Sequence, residues 1–266
     1  MSSFTSSGRS EFIDLVRPLH DRLSHYDPTA PPTSQPKNDA ADPAKAVPQS
    51  FIDAMIVREE VYVKEQNIAL ENELDEDDAR SFHWVAYAGL PSSAVTGAEK
   101  GGGEVKKAST KIPIGTIRLV PPPHAPHHQS GTAGEGRDSP QAHGEPSEAY
   151  IKLGRLAVIK EFRGAGISKL LIETALSFAR QNPHEVGPQM DLTEALQKGV
   201  ASNFKGLVLV HSQVGVQKVW KRYGFEKDEA MGTWDEEGID HVGMWRRVDV
   251  QGGRRASKLW TTTGHS

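Results

Sequence analysis

Apolar residues in this chain gather in short runs between long polar stretches, and their spacing alternates between helical and extended periods. Over 167–181, Ile167, Leu170, Leu171, Ala175 and Phe178 stand at offsets 0, 3, 4, 8 and 11, one face of an amphipathic helix. A second helix is predicted over 49–65, with Ile52, Met55, Ile56 and Val63 on one face, and a third over 214–223, where Val216, Val219, Trp220 and Tyr223 fall at 0, 3, 4 and 7. Strands are predicted at 11–19, 81–88, 111–120 and 151–159, and the all-apolar run 206–211 reads as a strand covered on both faces. The remainder, through His241-Val242-Gly243-Met244-Trp245, supplies two closing strands. The order strand, helix, three strands, helix, strand, helix, strands predicts one mixed α/β domain.

Three stretches lack the apolar content to bury themselves: 28–48, rich in Pro, Ala, Asp and Lys; 89–110, with Gly101-Gly102-Gly103; and 121–149, with no Val, Ile, Leu, Met, Phe, Trp or Tyr at positions 121–148. Each is expected to be a flexible insertion. Residues 182–206 read as a fourth, with Leu192 and Leu196 at i, i+4 in one short helix. Hydrophobic content of 36% suits a modest core carrying such loops, and a net charge of −4 gives no reason to expect nucleic-acid or membrane attraction. With no cysteine, a disulfide framework, a thiolate nucleophile and a cysteine metal site are excluded. The start Met1-Ser2-Ser3-Phe4 is not a leader pattern and no run approaches 18 apolar residues, so a soluble cytoplasmic protein is expected.

The richest stretch joins the strand ending Leu156-Ala157-Val158-Ile159 to the helix at Ile167, through Arg163-Gly164-Ala165-Gly166. Glycines before a helix allow left-handed backbone angles, and the helix start offers unpaired N–H donors and about half a positive charge. That combination cradles a phosphate or pyrophosphate. A Walker loop is excluded by spacing, and the dinucleotide fingerprint fails at its third glycine. What remains, Arg163-Gly164-Ala165-Gly166-Ile167-Ser168, resembles the R-x-x-G-x-G/A signature of the GNAT-type acetyl-CoA N-acetyltransferases, with Ser168 at the final small position. Further motifs stand in order. Arg58-Glu59-Glu60-Val61-Tyr62-Val63-Lys64-Glu65-Gln66, then Glu73, Asp75 and Asp78, then Ala79 and His83, is similar to R-x-x-V-F-V-x-E-Q…E-x-D…D-x-A-x-H of one branch of that family. Ile114-Gly115-Thr116-Ile117-Arg118-Leu119 and Gly238-Ile239-Asp240-His241-Val242-Gly243-Met244 are similar to the same branch.

The resemblance spans about 49–248 and implies a single mixed, mostly antiparallel sheet flanked by helices. It implies acetyl-CoA as donor, held by main-chain groups of Leu156, Ala157 and Val158 and by the cradle Arg163, Gly164, Ala165, Gly166, Ile167 and Ser168. It also implies a homodimer, and transfer to a small-molecule primary amine in a ternary complex.

The family's F-Y-x-K-x-G-F tyrosine, a general acid, is here Trp220 of Val219-Trp220-Lys221-Arg222-Tyr223-Gly224-Phe225. Indole cannot serve, so Tyr223, one turn on, and His211, at a strand end, are the candidates; the spacing of Tyr223 also marks it as core, and solvent could protonate the thiolate. Glu71-Asn72-Glu73-Leu74-Asp75-Glu76-Asp77-Asp78 is either a solvated acidic face or an ammonium-attracting surface, with Glu73 binding and Asp75 taking the proton. His83, Arg118 and Arg155 point into the acceptor pocket or cap the sheet. The histidines 124, 127, 128 and 143 have no ligand spacing, and no metal is expected. An alkylamine of pKa about 10.4 costs roughly 4.6 kcal/mol to deprotonate at pH 7, an amine near 7.8 only about 1. An amino sugar such as D-glucosamine is therefore the favoured acceptor, with a polyamine, a protein amine or a non-catalytic acyl-CoA sensor as alternatives.

Overall fold

Strand Phe82–Gly89 turns the alternating pattern into layers. Phe82, Trp84 and Ala86 pack with Leu171, Ile172, Ala175 and Ala179 of the helix on one face of the sheet, while Val85 and Tyr87 pack on Ala54 of the helix on the other. The computed structural model describes residues 13–35, 46–89, 111–124, 148–188 and 204–250. Its strands are β1 (Ile13–Val16), β2 (Phe82–Gly89), β3 (Lys111–Val120), β4 (Tyr150–Val158), β5 (Leu207–Gln213), β6 (Glu226–Lys227), β7 (Thr233–Glu236) and β8 (Ile239–Arg247). The helices are α1 (Gln49–Arg58), α2 (Ile167–Gln181) and α3 (Gln217–Lys221). One sheet runs in the order β1-β2-β3-β4-β5-β8-β6, with β7 also on β8, and every pairing is antiparallel except β4 with β5. The predicted mixed, mostly antiparallel sheet flanked by helices is the observed fold.

Most element boundaries move by a residue or two, and four differences have physical causes. The first strand stops at Val16, because Pro18 offers no ladder donor and Leu19 turns into a second apolar cluster with Phe51 and Met55. The helix predicted over 49–65 is α-helical only to Arg58; Glu59–Glu65 widen into a π-helix beside the cavity described below. The helix predicted at 214–223 splits into a 3-10 turn (Val214–Val216) and α3. The closing strands number three: Glu226–Lys227 add a short strand on β8, and Glu237 and Gly238, both at positive φ, fold β7 back on β8 as a tight hairpin.

Part of the first insertion is built into the fold. Pro32–Ser34 form a 3-10 turn with Pro32 buried, and the Gln35 amide donates to the carbonyl oxygens of Asp27 and Ala30. Residues 36–45, 90–110, 125–147 and the Leu192/Leu196 helix lie outside the described residues, as do His127, His128 and His143. His124 is described: its ring lies 4.5 Å from that of Tyr150, and burial together with the Lys152 charge pushes its pKa down to about 3. No helix among the described residues is long and apolar enough to cross a membrane.

One glycine sets how closely α2 approaches the sheet. A Cβ on Gly115 would lie 2.9 Å from Ile167 Cγ2 and 3.1 Å from Leu171 Cδ1, so its absence lets the start of α2 sit directly on β3.

Candidate active site

The parallel strands β4 and β5 begin as a ladder and then part. Their register runs from Tyr150 opposite Leu207 to Leu153 opposite Val210 and ends there, although β4 continues to Val158 and β5 to Gln213. The cause lies in β4. Against β3, Ala157 pairs with Thr116 and Gly154 with Arg118, so β4 carries one extra residue at Arg155-Leu156, and Arg155 takes a positive φ of 49°. Such a bulge bends its strand and increases the local twist. Beyond it, one edge of β4 no longer faces β5, and the opening widens into a cavity of about 590 Å³.

At the wide end of the opening stands the glycine turn. Gly164 and Gly166 have φ of 82° and 83°, and a Cβ at either would meet nothing within 4 Å. The surface over the turn is therefore open, and the backbone itself can touch a ligand. Gly166 caps α2 without a side-chain hydrogen bond, and the amide groups of Gly166, Ile167 and Ser168 donate to no other described main-chain oxygen. Arg163 turns inward along the turn: its Nε donates to the Val158 carbonyl at 2.9 Å, and Nη2 reaches the Glu65 carboxylate at 2.7 and 2.9 Å. A pyrophosphate fits this combination of open donors and absent side chains.

His211 stands at the vertex, directly after the last β5 residue paired to β4. Val208 and Val210 pack in the α2 core, so the two-residue period puts Leu209, His211 and Gln213 on the opposite, α1 face of the sheet. Gln213 is opposite His241 on β8, which is opposite Trp234 on β7, so all three side chains share that face. His211 Nδ1 lies 3.4 Å from Glu236 Oε1, which also accepts from Trp234 Nε1 at 2.6 Å, while His241 Nε2 lies 3.9 Å from Oε2. Burial raises the Glu236 pKa, but the hydrogen bonds from His211 and Trp234 and the histidine charges outweigh it and bring it down to about 2. Neither Glu236 nor His241 is among the site residues expected from the sequence. The Glu237-Gly238 turn signal could have found them, since a tight hairpin there brings Glu236 back beside Ile239 and toward His241.

The acidic run divides: Glu71 and Glu76 are exposed, whereas Glu73, Asp75 and Asp78 are held by arginines. Glu73 and Asp78 are 1% and 0% exposed and close on Arg58, itself 1% exposed. Arg58 Nε donates to Glu73 Oε1 at 2.5 Å, and its Nη1 and Nη2 donate to Asp78 at 2.7 and 3.2 Å. Arg118 Nη1 bridges Asp75 (2.6 Å) and Asp78 (2.8 Å), and Arg155 Nη2 takes the other Asp75 oxygen at 3.0 Å. Burial raises the Asp75 carboxyl, yet the Arg118 and Arg155 charges leave it below the ordinary carboxylate range. A carboxylate clamped on both oxygens by guanidinium groups is a poor acceptor for a proton near neutrality.

Other expected site residues divide by location. Leu156, Ala157, Val158, Arg163, Gly164, Ile167, Ser168, Arg118, Arg155 and His211 line the cavity. Glu73, Asp75, His83, Ala165, Gly166 and Tyr223 do not; Ala165 and Gly166 border a second, smaller cavity. His83 is buried under Phe51, ring centroids 5.1 Å apart, with burial pushing its pKa down to about 4. Tyr223 is half-buried against the α2-side core, and it is Trp220, at the family's tyrosine position, that reaches the cavity wall. Tyr62, from the π-helix, lines the cavity as well, and burial raises its phenol to about 12, so it stays protonated near neutrality.

A protein of Bacillus subtilis (strain 168), the uncharacterized N-acetyltransferase YjcF, is 26% identical over 194 residues, covering 73% of this chain and 90% of its own. Among solved structures, an acyl-CoA N-acyltransferase from Pseudomonas aeruginosa matches at 20% identity over 75% of this chain and 92% of that one, TM-score 0.42. Escherichia coli ElaA matches at 16% identity over 76% and 92%, TM-score 0.42. The family model described as the acetyltransferase (GNAT) family matches residues 58–193, half of the chain, and the protein is thus an acyltransferase belonging to the GNAT family.

Proposed function

We propose that this acyltransferase moves the acetyl group of acetyl-CoA to the primary amine of a small molecule, by direct transfer while both substrates are bound. The observation that carries the reading is the parting of β4 and β5 in continuity with the glycine turn. A pantetheine arm would pair with the freed edge of Leu156, Ala157 and Val158, and the pyrophosphate would rest on Gly164, Ala165, Gly166, Ile167 and Ser168. Arg163 would serve chiefly as a positioning residue, since its guanidinium already braces Val158 and Glu65.

In the reaction the amine nitrogen bonds to the thioester carbonyl carbon, the C–S bond breaks with its electron pair, and the proton lost by the amine ends on the sulfur. An ammonium substrate must first lose one further proton. His211 is the group to accept it: its imidazole can take a proton on a ring nitrogen, it stands where β4 and β5 part, and its Nδ1 lies 3.4 Å from Glu236 Oε1, which orients the ring. Tyr62, with its phenol kept protonated, supplies a hydrogen-bond donor on the same cavity wall. An amino sugar such as D-glucosamine remains a sensible first acceptor because its deprotonation costs little. A polyamine loses its motive, because the carboxylates expected to attract it are neutralised by Arg58, Arg118 and Arg155.

Thiol release from acetyl-CoA, followed across a panel of amines, tests the reading. Acceptor-dependent turnover is expected, and His211→Ala should lower kcat by about 10²–10⁴-fold with little change in KM for acetyl-CoA. Tight binding of acetyl-CoA with no turnover for any amine would refute catalysis and favour a sensor.

A further inference from the structure

Two arginines share one cavity wall with part of each guanidinium left over. Arg118 on β3 and Gly154 on β4 are in register, and Arg155 follows at the bulge, so both side chains issue from adjacent strands where β4 leaves β5. Arg118 spends Nη1 on Asp75 and Asp78, and Arg155 spends Nη2 on Asp75. Among the described residues, Arg118 Nη2 and Arg155 Nη1 donate to nothing, and the buried Nε atoms of both residues make no hydrogen bond. Asp75 is thus gripped between two guanidinium groups, Arg155 Nε also lies 3.7 Å from Glu73 Oε1, and both arginines line the cavity. Lys152, opposite Val120 on the same pair of strands, adds a third cation to that wall. The backbone strain points to the same place: a non-glycine residue at positive φ carries one of the two arginines.

Guanidinium donors in fixed planar array are the side-chain geometry that matches carboxylate and phosphate oxygens. The geometry points to an acceptor that carries an anion as well as its amine, the anion docking on Arg118 and Arg155 while the amine lies toward His211 and Glu236. This inference rests on the acyltransfer reading and narrows its substrate from amines in general to amines bearing a carboxylate or a phosphate. The bland alternative is that both arginines only neutralise the buried acids. In that case their loss would weaken every acceptor alike.

Matched acceptor pairs separate these. Thiol release from acetyl-CoA is measured with the full chain for amino acids against their amides, and for D-glucosamine 6-phosphate against D-glucosamine. The anionic member of a productive pair should show kcat/KM about tenfold or more above its neutral partner, through KM, as expected for charge-assisted hydrogen bonds. Preference confined to the carboxylate pairs, or to the phosphate pair, identifies the anion. Arg155→Gln should collapse the ratio, and Arg155→Lys should restore part of it. Equal or better turnover of the neutral members by the unaltered protein overturns the inference while leaving acetyl transfer standing. So does a ratio unchanged in Arg155→Gln. Absence of turnover with every member overturns the acyltransfer reading itself, and this one with it.

Discussion

Replacing Arg58 by methionine tests the idea that the acidic run is structural. Arg58 is enclosed with Glu73 and Asp78, each at most 1% exposed, and it makes hydrogen bonds of 2.5, 2.7 and 3.2 Å to their carboxylates. Methionine retains most of the stem's packing but leaves two buried carboxylates short of a partner. Breaking a buried pair in this way costs about 3–5 kcal/mol. At roughly 2–4 °C per kcal/mol for a domain of this size, Tm should fall by about 6–20 °C. The loss should also depend on pH in a definite sense. In the native protein burial pushes the Asp78 carboxyl up, but Arg58 and Arg118 overcome this and hold it well below the ordinary range. Its stabilisation is therefore complete above the unfolded pKa near 4 and fades as pH falls below that. Without Arg58 the folded-state pKa rises, so the variant takes up a proton on acidification that the native protein does not. The deficit should then shrink by up to about 1.4 kcal/mol per pH unit below the raised pKa. Thermal and urea unfolding at pH 7.5 and 5 measure both effects, and the added changes Asp78→Asn and Glu73→Gln should recover part of the loss. A deficit below about 1 kcal/mol at pH 7.5, or one equal at the two pH values, would refute the reasoning.

Two further perturbations separate binding from folding. Gly164→Asp puts a negative charge and a Cβ at φ 82°, over a surface with no neighbour within 4 Å; KM for acetyl-CoA should rise by about ten- to a hundredfold, and an unchanged KM would remove the cradle from the cofactor site. Gly115→Val drives a branched side chain into Ile167 and Leu171, at 2.9 and 3.1 Å from Cβ; overpacking should cost about 1–3 kcal/mol in urea unfolding and shift the start of α2, and native stability would show that the contact yields freely.

Some of this architecture was open to reading residue by residue. The bounds of β3 and α2 coincide with their predicted spans, because each is rich in apolar residues and ends at a proline, a glycine turn or a polar stretch. The π-helical turn at Glu59–Glu65 was not, since its apolar spacing is compatible with an ordinary helix. The ion network was misread for a related reason: six acids in eight residues look solvated, and the cations that hold three of them, Glu73, Asp75 and Asp78, come from positions 58, 118 and 155. Tyr223 and Trp220 are one turn apart on the same face in sequence, but the helix breaks into a 3-10 turn and a short α3 and leaves only Trp220 at the cavity.

Local pattern by itself determined the order of strands and helices, the glycine turn before α2 and the family motifs, because period, capping chemistry and backbone freedom are properties of neighbours in the chain. The tertiary structure alone decided where β4 parts from β5, which carboxylates lose their water to arginines, and that His211 meets Glu236. Those outcomes depend on strand register and on charges brought together from positions as far apart as 58 and 155, and no local pattern encodes either.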